Sequence, residues 1–289
     1  MTLLRVGGVP EPFNEIFMQA QEGALPSTKL QVEFLGVAGG SGAALEMLAK
    51  CELDVAVTLT ESAVARTKAA ASGLAVHSVY VASPLAWGVA VSSKKTDWTD
   101  LNSLDAAVLR GESIRAGFSR RGSGSHLLLS VFASDRGWIS TGIQNDILKS
   151  FECGSFDGLI QAAVAGDIDM FLWETCFTKE CAATRQGLIR LVGEYAPSWP
   201  AFVLVCRDDA HVRAAVSELK REIEPLQRKF CTGEGLDILQ NKYGFSLESA
   251  KLWLSRLQFA EPDEALSAEQ WRSVERALEL TAGSRSSSR

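Results

Sequence analysis

The sequence predicts an α/β protein of two lobes, and three observations lead to this fold class. The chain has 289 residues, which is long enough for two compact units of ordinary size. Apolar runs of strand length alternate with segments of helical length, the pattern of α/β architecture. A stretch of the first half also has a counterpart in the second half, which is typical of a repeated structural unit.

The elements of the first lobe begin at the N-terminus. Short apolar runs indicate strands, and longer segments with helical spacing indicate helices. In order, the pattern predicts a strand at 3–9, a loop leading into a helix at 10–25, a strand at 30–37, a turn at 38–42, a helix at 43–53 and a short buried strand at 54–60.

The repeat pairs residues 44–61 with residues 159–176. Each copy reads as an aliphatic helix, an acidic residue, an aliphatic residue and an aspartate, followed by a short apolar strand. The aspartates are Asp54 and Asp169. The repeat predicts two similar lobes, each with a strand end available to a ligand. These strand ends carry Thr60, Glu61, Trp173 and Glu174, the last followed by Thr175.

Two segments that contain proline suit chain crossings between the lobes, because proline cannot donate to a sheet ladder. Ser83, Pro84 and Leu85 separate two extended apolar stretches, and residues 194–206 suit the return crossing.

The C-terminal part is predicted to be mostly helical. Residues 211–230 have the apolar spacing of a helix, with Pro225 marking a kink or a break. Ser246 is a predicted helix N-cap, and residues 283–289 are predicted to be a disordered tail.

Composition and charge disfavour several classes of function. A net charge of −6 does not suit a nucleic-acid partner, and no apolar run approaches the roughly 18 residues needed for membrane insertion. The N-terminus lacks an export signal, which predicts a cytoplasmic location. The six cysteines and three histidines are not clustered as metal ligands, so we expect free thiols, no metal and no cofactor.

The segment 119–125 is the leading candidate for ligand contact. A short apolar run ends there in a glycine–serine loop that opens a helix, where backbone N–H groups can hold an anion. The alternative is a small-residue turn with solvated arginines, and the segment is not a Walker P-loop. The candidate contacts are Arg120, Gly122, Ser123, Gly124 and Ser125.

Further candidates follow the other predicted strands or lie near the crossings. Ligands of open α/β sheets bind beyond the carboxyl ends of the strands, glycines permit close backbone approach, and tryptophans stack on planar groups. Each of these side chains could equally be part of a turn or of the core. The set comprises Pro10, Glu11, Phe13, Asn14, Gly39, Gly40, Ser83, Trp87 and Trp199, in addition to the four strand-end residues.

The order of these segments resembles the type II periplasmic-binding-protein fold, found in receptors for nitrate, sulfonates and thiamine pyrimidine precursors. More narrowly, it is similar to a stand-alone soluble branch, although Pro12 stands where that branch has a histidine. The resemblance implies lobes of 1–84 plus 203–289 and of 85–202, with a ligand cleft between them. The segments that carry it are 7–13, 83–90, 119–129, 169–179, 195–202 and 241–259.

The leading functional hypothesis is non-catalytic binding of a small polar ligand, anionic or zwitterionic, with hinge closure like that of an ABC transporter's solute-binding protein. The alternative is an enzyme on the same scaffold, of the dehydratase or pyrimidine-synthase type, with Glu11, Glu61 or Glu174 as a general base. A third hypothesis is an adaptor with a vestigial cleft and an unidentified protein partner.

Overall fold

In the computed structural model, residues 2–26, 29–68, 72–139, 147–184 and 187–283 are described, and their ten strands form two five-stranded sheets. The strands are β1 (Thr2–Gly8), β2 (Leu30–Gly36), β3 (Val55–Leu59), β4 (Leu74–Val81), β5 (Trp87–Ser92), β6 (Ile114–Phe118), β7 (Leu148–Glu152), β8 (Met170–Glu174), β9 (Ile189–Tyr195) and β10 (Phe202–Arg207).

Helices connect most of these strands and form the C-terminal part. They are α1 (Glu15–Gln19), α2 (Gly40–Ala49), α3 (Thr60–Thr67), α4 (Leu101–Leu109), α5 (Gly124–Asp135), α6 (Phe156–Ala165), α7 (Thr175–Thr184), α8 (Ala210–Lys229), α9 (Gly235–Asn241), α10 (Leu247–Arg256) and α11 (Ala268–Gly283). No helix in the described ranges is both long and apolar enough to cross a membrane.

The two sheets match in the spatial order and direction of their strands. Their strand orders are β2-β1-β3-β10-β4 and β7-β6-β8-β5-β9. In each sheet the first three strands are parallel, and the fourth strand is antiparallel to both of its neighbours. The antiparallel strand differs in its place along the chain, since β10 is the last strand of its sheet and β5 is the first of its own.

The chain divides into two compact units. One comprises Met1–Pro84 and Ser198–Val274, and the other comprises Leu85–Pro197 and Glu275–Arg289. Along the chain the units change at 84/85 and at 197/198. Ala201 is tied to other residues of the first unit: its N–H donates to the Ser83 carbonyl (3.1 Å), and its own carbonyl accepts the Thr60 N–H (3.1 Å). The lobe boundaries implied by the resemblance, 84/85 and 202/203, stay predictions.

The last described residues group with the second unit from Glu275 on. The assignment of 203–289 to the first lobe stays a prediction of the resemblance. Of the predicted tail, Gly283 is the last residue of α11, and residues 284–289 lie outside the described residues.

Two predicted helices differ in their limits or continuity. The helix expected at 43–53 begins at Gly40 and ends at Ala49, and Cys51 adopts a left-handed conformation (φ 60°) that cannot continue it. Pro225 does not break α8, which runs to Lys229. The Pro225 ring is exposed, so the carbonyl that loses its helical partner can be hydrated.

The predicted N-cap at Ser246 is confirmed, since its hydroxyl accepts the Ser249 N–H (3.2 Å).

An arginine–aspartate pair fixes the same two strands in each sheet. Asp54 precedes β3 and accepts hydrogen bonds from the backbone N–H, Nε and Nη2 of Arg5 on β1, each at 3.0 Å. Asp169 precedes β8 and accepts the same three from Arg115 on β6, at 2.9, 3.1 and 2.7 Å. Burial alone would raise both aspartate pKa values, but hydrogen bonds from the arginines hold them below the usual range.

A glycine two residues after each arginine completes the match. A Cβ on Gly7 would lie 2.2 Å from Leu53 Cδ1, and a Cβ on Gly117 would lie 2.5 Å from Ile168 Cδ1. The aliphatic residue of the sequence repeat therefore packs directly on the glycine of the neighbouring strand. Each sheet thus presents its strand ends in the same way.

Candidate ligand-binding site

In the first unit, three parallel strands end at the same sheet edge. Gly8 pairs with Gly36, and Gly7 pairs with Ala56, which places the ends of β1, β2 and β3 side by side. Helices α2 and α3 begin soon after two of these strands, and the Leu59 N–H donates to Ser41 Oγ (2.9 Å), joining their N-termini. This edge is where open α/β sheets bind ligands.

Asn14 and Phe13 follow β1 and have different surroundings. The fully buried Asn14 donates from Nδ2 to the Val9 carbonyl (2.7 Å), whereas its Oδ1 has no partner among the described residues. The Phe13 ring lies 4.8 Å from Phe202 and 4.7 Å from Trp253. Asn14 therefore keeps a hydrogen-bonding atom available, while Phe13 is part of an aromatic core.

Glu61 lies in the first turn of α3 and is only 2% exposed. Trp199 Nε1 donates to Glu61 Oε2 at 3.2 Å, and Oε1 is without a partner in the described ranges. Burial raises the pKa of Glu61 to about 7, against the opposing hydrogen bonds of its own backbone N–H and of the indole. Thr60 holds the adjoining segment in place, since its hydroxyl donates to the Pro200 carbonyl (2.6 Å).

In the second unit, the segment 119–125 is organised by three hydroxyl groups. The Oγ atoms of Ser119, Ser123 and Ser125 lie 3.0–3.1 Å from one another. Ser123 is the N-cap of α5, and the Gly122 N–H donates to His126 Nδ1 (3.2 Å) with Gly122 at φ 76°. Helix geometry leaves the first N–H groups of α5 without intrahelical acceptors, so this end can hold an anion.

The two arginines of this segment have separate partners. Arg120 Nη1 donates to the Gly154 carbonyl (3.1 Å), and Arg121 Nε lies 3.8 Å from Glu152 Oε2 on the neighbouring strand β7. Arg120 is half-buried and Arg121 is exposed. Arg120 is therefore the better-placed cation for an anion at the start of α5.

The residue after β8, Thr175, carries a buried hydroxyl without a partner among the described residues. The Thr175 N–H donates to the Ala86 carbonyl (3.0 Å), just as Thr60 donates to Ala201, but Thr175 Oγ1 has no partner in the part of the chain described. Glu174 Oε2 accepts the Phe177 N–H (2.9 Å) and caps α7. The strand ends of the two units therefore match in their backbone contacts and differ in their side chains.

The predicted tryptophans of the second unit pack within it. The Trp173 ring is stacked on Phe156 (5.2 Å between centroids, 20° between planes). Trp87 is 5% exposed on β5, opposite Glu174. We see packing roles for both indoles, and a ligand contact for either stays a prediction.

The remaining candidates lie near the edge of the first unit. Gly40 begins α2 with φ 78°, and Gly39 precedes it, where a Cβ would lie 2.6 Å from Ala43 Cβ. Pro10 is exposed and Glu11 is half-buried. Ser83 Oγ accepts the Gln258 N–H (3.1 Å) and so ties down the C-terminal segment.

Sequence reasoning missed several polar residues at these strand ends. They are Ser41, Ser62 and His126. Thr175 was expected at the second strand end, where it follows the repeat's aspartate by six residues, as Thr60 does. The missed residues carry no local signal, since their position depends on which strands are neighbours.

No protein-family model matches the chain, and no curated protein is significantly similar to it in sequence. Solved structures are similar over nearly its whole length. The product of the conserved Candida albicans gene CA3427, which defines a new family with the generic periplasmic binding protein fold, is 23% identical. That match covers 98% of this chain and 90% of that one, with a TM-score of 0.81.

Two bacterial binding proteins are also similar. The alkanesulfonate-binding protein SsuA of Xanthomonas axonopodis pv. citri, bound to MOPS, is 18% identical over 99% of this chain and 94% of that one, with a TM-score of 0.69. PhnD1 of Prochlorococcus marinus, in complex with methylphosphonate, is 17% identical over 95% and 96%, with a TM-score of 0.57.

Proposed function

We propose that this chain, which has the periplasmic-binding-protein fold, binds a small polar ligand with an anionic group and releases it unchanged. One observation carries the proposal: buried polar atoms without partners gather at the carboxyl ends of the parallel strands. Among the described residues nine such atoms occur, and five of them lie there. They belong to Asn14, Thr58, Glu61, Ser62 and Thr175.

Such atoms are rare in folded proteins because each costs free energy unless something fills its hydrogen bond. Four of the five lie in the first unit and Thr175 lies in the second, and their position at strand ends supports a polar ligand rather than scattered defects. Helices also begin at the strand ends of each unit, at Gly40 and Thr60 in the first and at Gly124 and Thr175 in the second.

An anionic group suits these helix ends. The N-terminus of a helix carries a partial positive charge and N–H groups without intrahelical acceptors. The serine cluster of 119–125 adds hydroxyl groups that can donate to oxyanion oxygens. SsuA and PhnD1, which share the fold, are bound to a sulfonate and a phosphonate. These two ligands support the anion class without naming the ligand of this chain.

An enzyme on the same scaffold is the second candidate, because the pKa of Glu61 is about 7. A carboxyl group with such a pKa exchanges protons readily at neutral pH, as a general base must.

Mass spectrometry of freshly purified protein, first native and then denatured, separates the candidates. Binding without turnover predicts one small molecule per chain that is released on denaturation. Two related masses, interpretable as substrate and product, would favour the enzyme.

If the protein purifies without a bound small molecule, its melting temperature would then be measured with small sulfonates, phosphonates and carboxylates. Failure of every compound to raise the melting temperature would contradict the proposed function. The hinge closure and cytoplasmic location that the sequence suggests stay predictions, the second to be tested by cell fractionation.

A further inference from the structure

Glu61 differs from the other buried carboxylates in having no cation. Three Asp or Glu residues are buried in the described ranges: Glu15, Glu61 and Asp169. Glu15 pairs with Lys242 Nζ (2.9 Å) and accepts a hydrogen bond from Tyr243 Oη (2.9 Å). Asp169 pairs with Arg115 and lies 3.5 Å from Lys95 Nζ. For Glu61 the described residues supply only neutral donors, the Trp199 indole N–H and the Glu61 backbone N–H, and Oε1 has no partner among them.

The free oxygen of Glu61 defines the kind of group that can fill it. A carboxylate oxygen only accepts hydrogen bonds, so its partner must be a donor. Ser62 Oγ, on the next residue of α3, is also buried without a partner in the described part of the chain. Adjacent residues of a helix do not face each other, so the serine is a separate unfilled group.

Keeping Glu61 ionised in its buried position without a cation costs free energy. A buried carboxylate without a compensating charge is strongly disfavoured, and proteins pair or protonate it. The pKa of about 7 is consistent with this, since burial is its largest cause and no charged side chain among the described residues offsets it. A cationic donor brought by a ligand would remove the cost.

Glu61 lies at the edge that the proposed function uses. It is in the first turn of α3, directly after β3, next to the ends of β1 and β2. Trp199 fixes its position by holding Oε2, so that Oε1 is the oxygen left for another group.

We propose that Glu61 binds a protonated nitrogen of the ligand, which is therefore a zwitterion carrying an ammonium-type group as well as an anion. This inference rests on the proposed function, because it describes the ligand of that same site. The indole holds one carboxylate oxygen in place, and the ligand N–H donates to the other.

Matched pairs of small anions test the proposal, each pair differing by an ammonium in place of a methyl group. The probes are β-alanine and butyrate, 2-aminoethanesulfonate and 1-propanesulfonate, and aminomethylphosphonate and ethylphosphonate. Calorimetric titration of the full chain would give the affinity of each compound for the native protein and for Glu61→Gln. The control is Glu33→Gln, which removes an exposed carboxylate from β2 of the same unit.

We expect the ammonium member of at least one pair to bind the native protein roughly tenfold or more tightly than its partner. In Glu61→Gln that preference falls to about twofold or less, whereas Glu33→Gln retains it. Glu61→Asp keeps the charge and is expected to retain a reduced preference, which covers the case in which the glutamine variant does not fold.

Each other outcome overturns the proposal. If probes bind but no pair shows a preference for its ammonium member, or if the preference survives in Glu61→Gln, the zwitterion proposal is wrong and the proposed function stands. If no probe binds and the purified protein carries no small molecule, both are wrong.

Discussion

Two buried ionisable side chains of the first unit, Glu61 and Lys220, behave differently because their partners differ. Lys220 is 1% exposed and donates from Nζ to the carbonyls of Val79 (2.6 Å) and Glu261 (2.7 Å). Its charge is thus held by two acceptors that tie the C-terminal segment to β4. Glu61 has only the neutral N–H donors of Trp199 and of its own backbone, and its Oε1 has no partner among the described residues. The first arrangement is complete as a structural contact, and the second is incomplete.

Replacing Glu61 by glutamine should stabilise the ligand-free protein above neutral pH. The pKa rises from 4.5 to about 7 on folding, so the folded state binds more protons over that range and stability falls as pH rises through it. Above pH 7, ionised Glu61 lowers the free energy of unfolding by about 3 kcal/mol. Urea unfolding of both proteins at pH 5 and pH 8 should show a larger gain for Glu61→Gln at pH 8. An equal difference at the two pH values would contradict the raised pKa.

Lys220 predicts the opposite slope at higher pH. Burial lowers its pKa from 10.5 to about 8, so the unfolded chain binds more protons between these values and stability rises with pH. In Lys220→Met this contribution is absent. The free energy of unfolding of the native protein should therefore rise relative to that of the variant from pH 8 to pH 10. A constant difference would show that Lys220 titrates normally.

At the scale of elements, the repeated arginine–aspartate pairs join strands that lie far apart in the chain. Arg5 and Asp54 are 49 residues apart, and Arg115 and Asp169 are 54 residues apart. Both aspartates were noticed in the sequence because the helix and strand around them repeat, but their arginine partners were not. The strand limits were close to the prediction, since apolar runs are local; the order β2-β1-β3-β10-β4 was not predictable, since nothing local specifies which strands pair.

Substituting these aspartates by asparagine tests the two pairs against each other. The side chain of Asp169 is 3% exposed and that of Asp54 is 14% exposed. Asp169→Asn leaves the cations around it without their counter-charge and should cost about 3 kcal/mol. Asp54→Asn should cost less, because water reaches that pair more easily. Chemical unfolding followed by circular dichroism checks both values, and a larger loss for Asp54→Asn would contradict the burial argument.

At the scale of the whole molecule, the fold implied by the family resemblance is confirmed, although no sequence family matches. The chain has two five-stranded sheets, each with one antiparallel strand next to three parallel ones. The Candida albicans protein and the two bacterial binding proteins are similar to it in structure over nearly its whole length. A fold of this kind does not determine the ligand. The ligand depends on side chains at strand ends, which is where this chain has its unfilled polar atoms.

Arg120 provides a test of the predicted anion contact. Replacing it by alanine should weaken binding of the co-purified ligand, or of the best anion found by thermal shift, by about 1.5–3 kcal/mol. Arg110→Ala is the control, since it removes an exposed arginine of the same unit that pairs with Glu112. Calorimetric titration measures both, and equal affinities for native protein and Arg120→Ala would exclude Arg120 from the site.

The sequence by itself determined the α/β class, the repeat and the position of a polar helix start at 119–125. Each of these depends on neighbours within a few residues, where spacing and turn chemistry act. Only the tertiary structure decided that Trp199 reaches Glu61 across 138 residues of sequence, and that Glu61, alone among the buried carboxylates described, has no cation. The physical reason is that such contacts depend on which strands become neighbours when the apolar core is buried, and no local pattern records that choice.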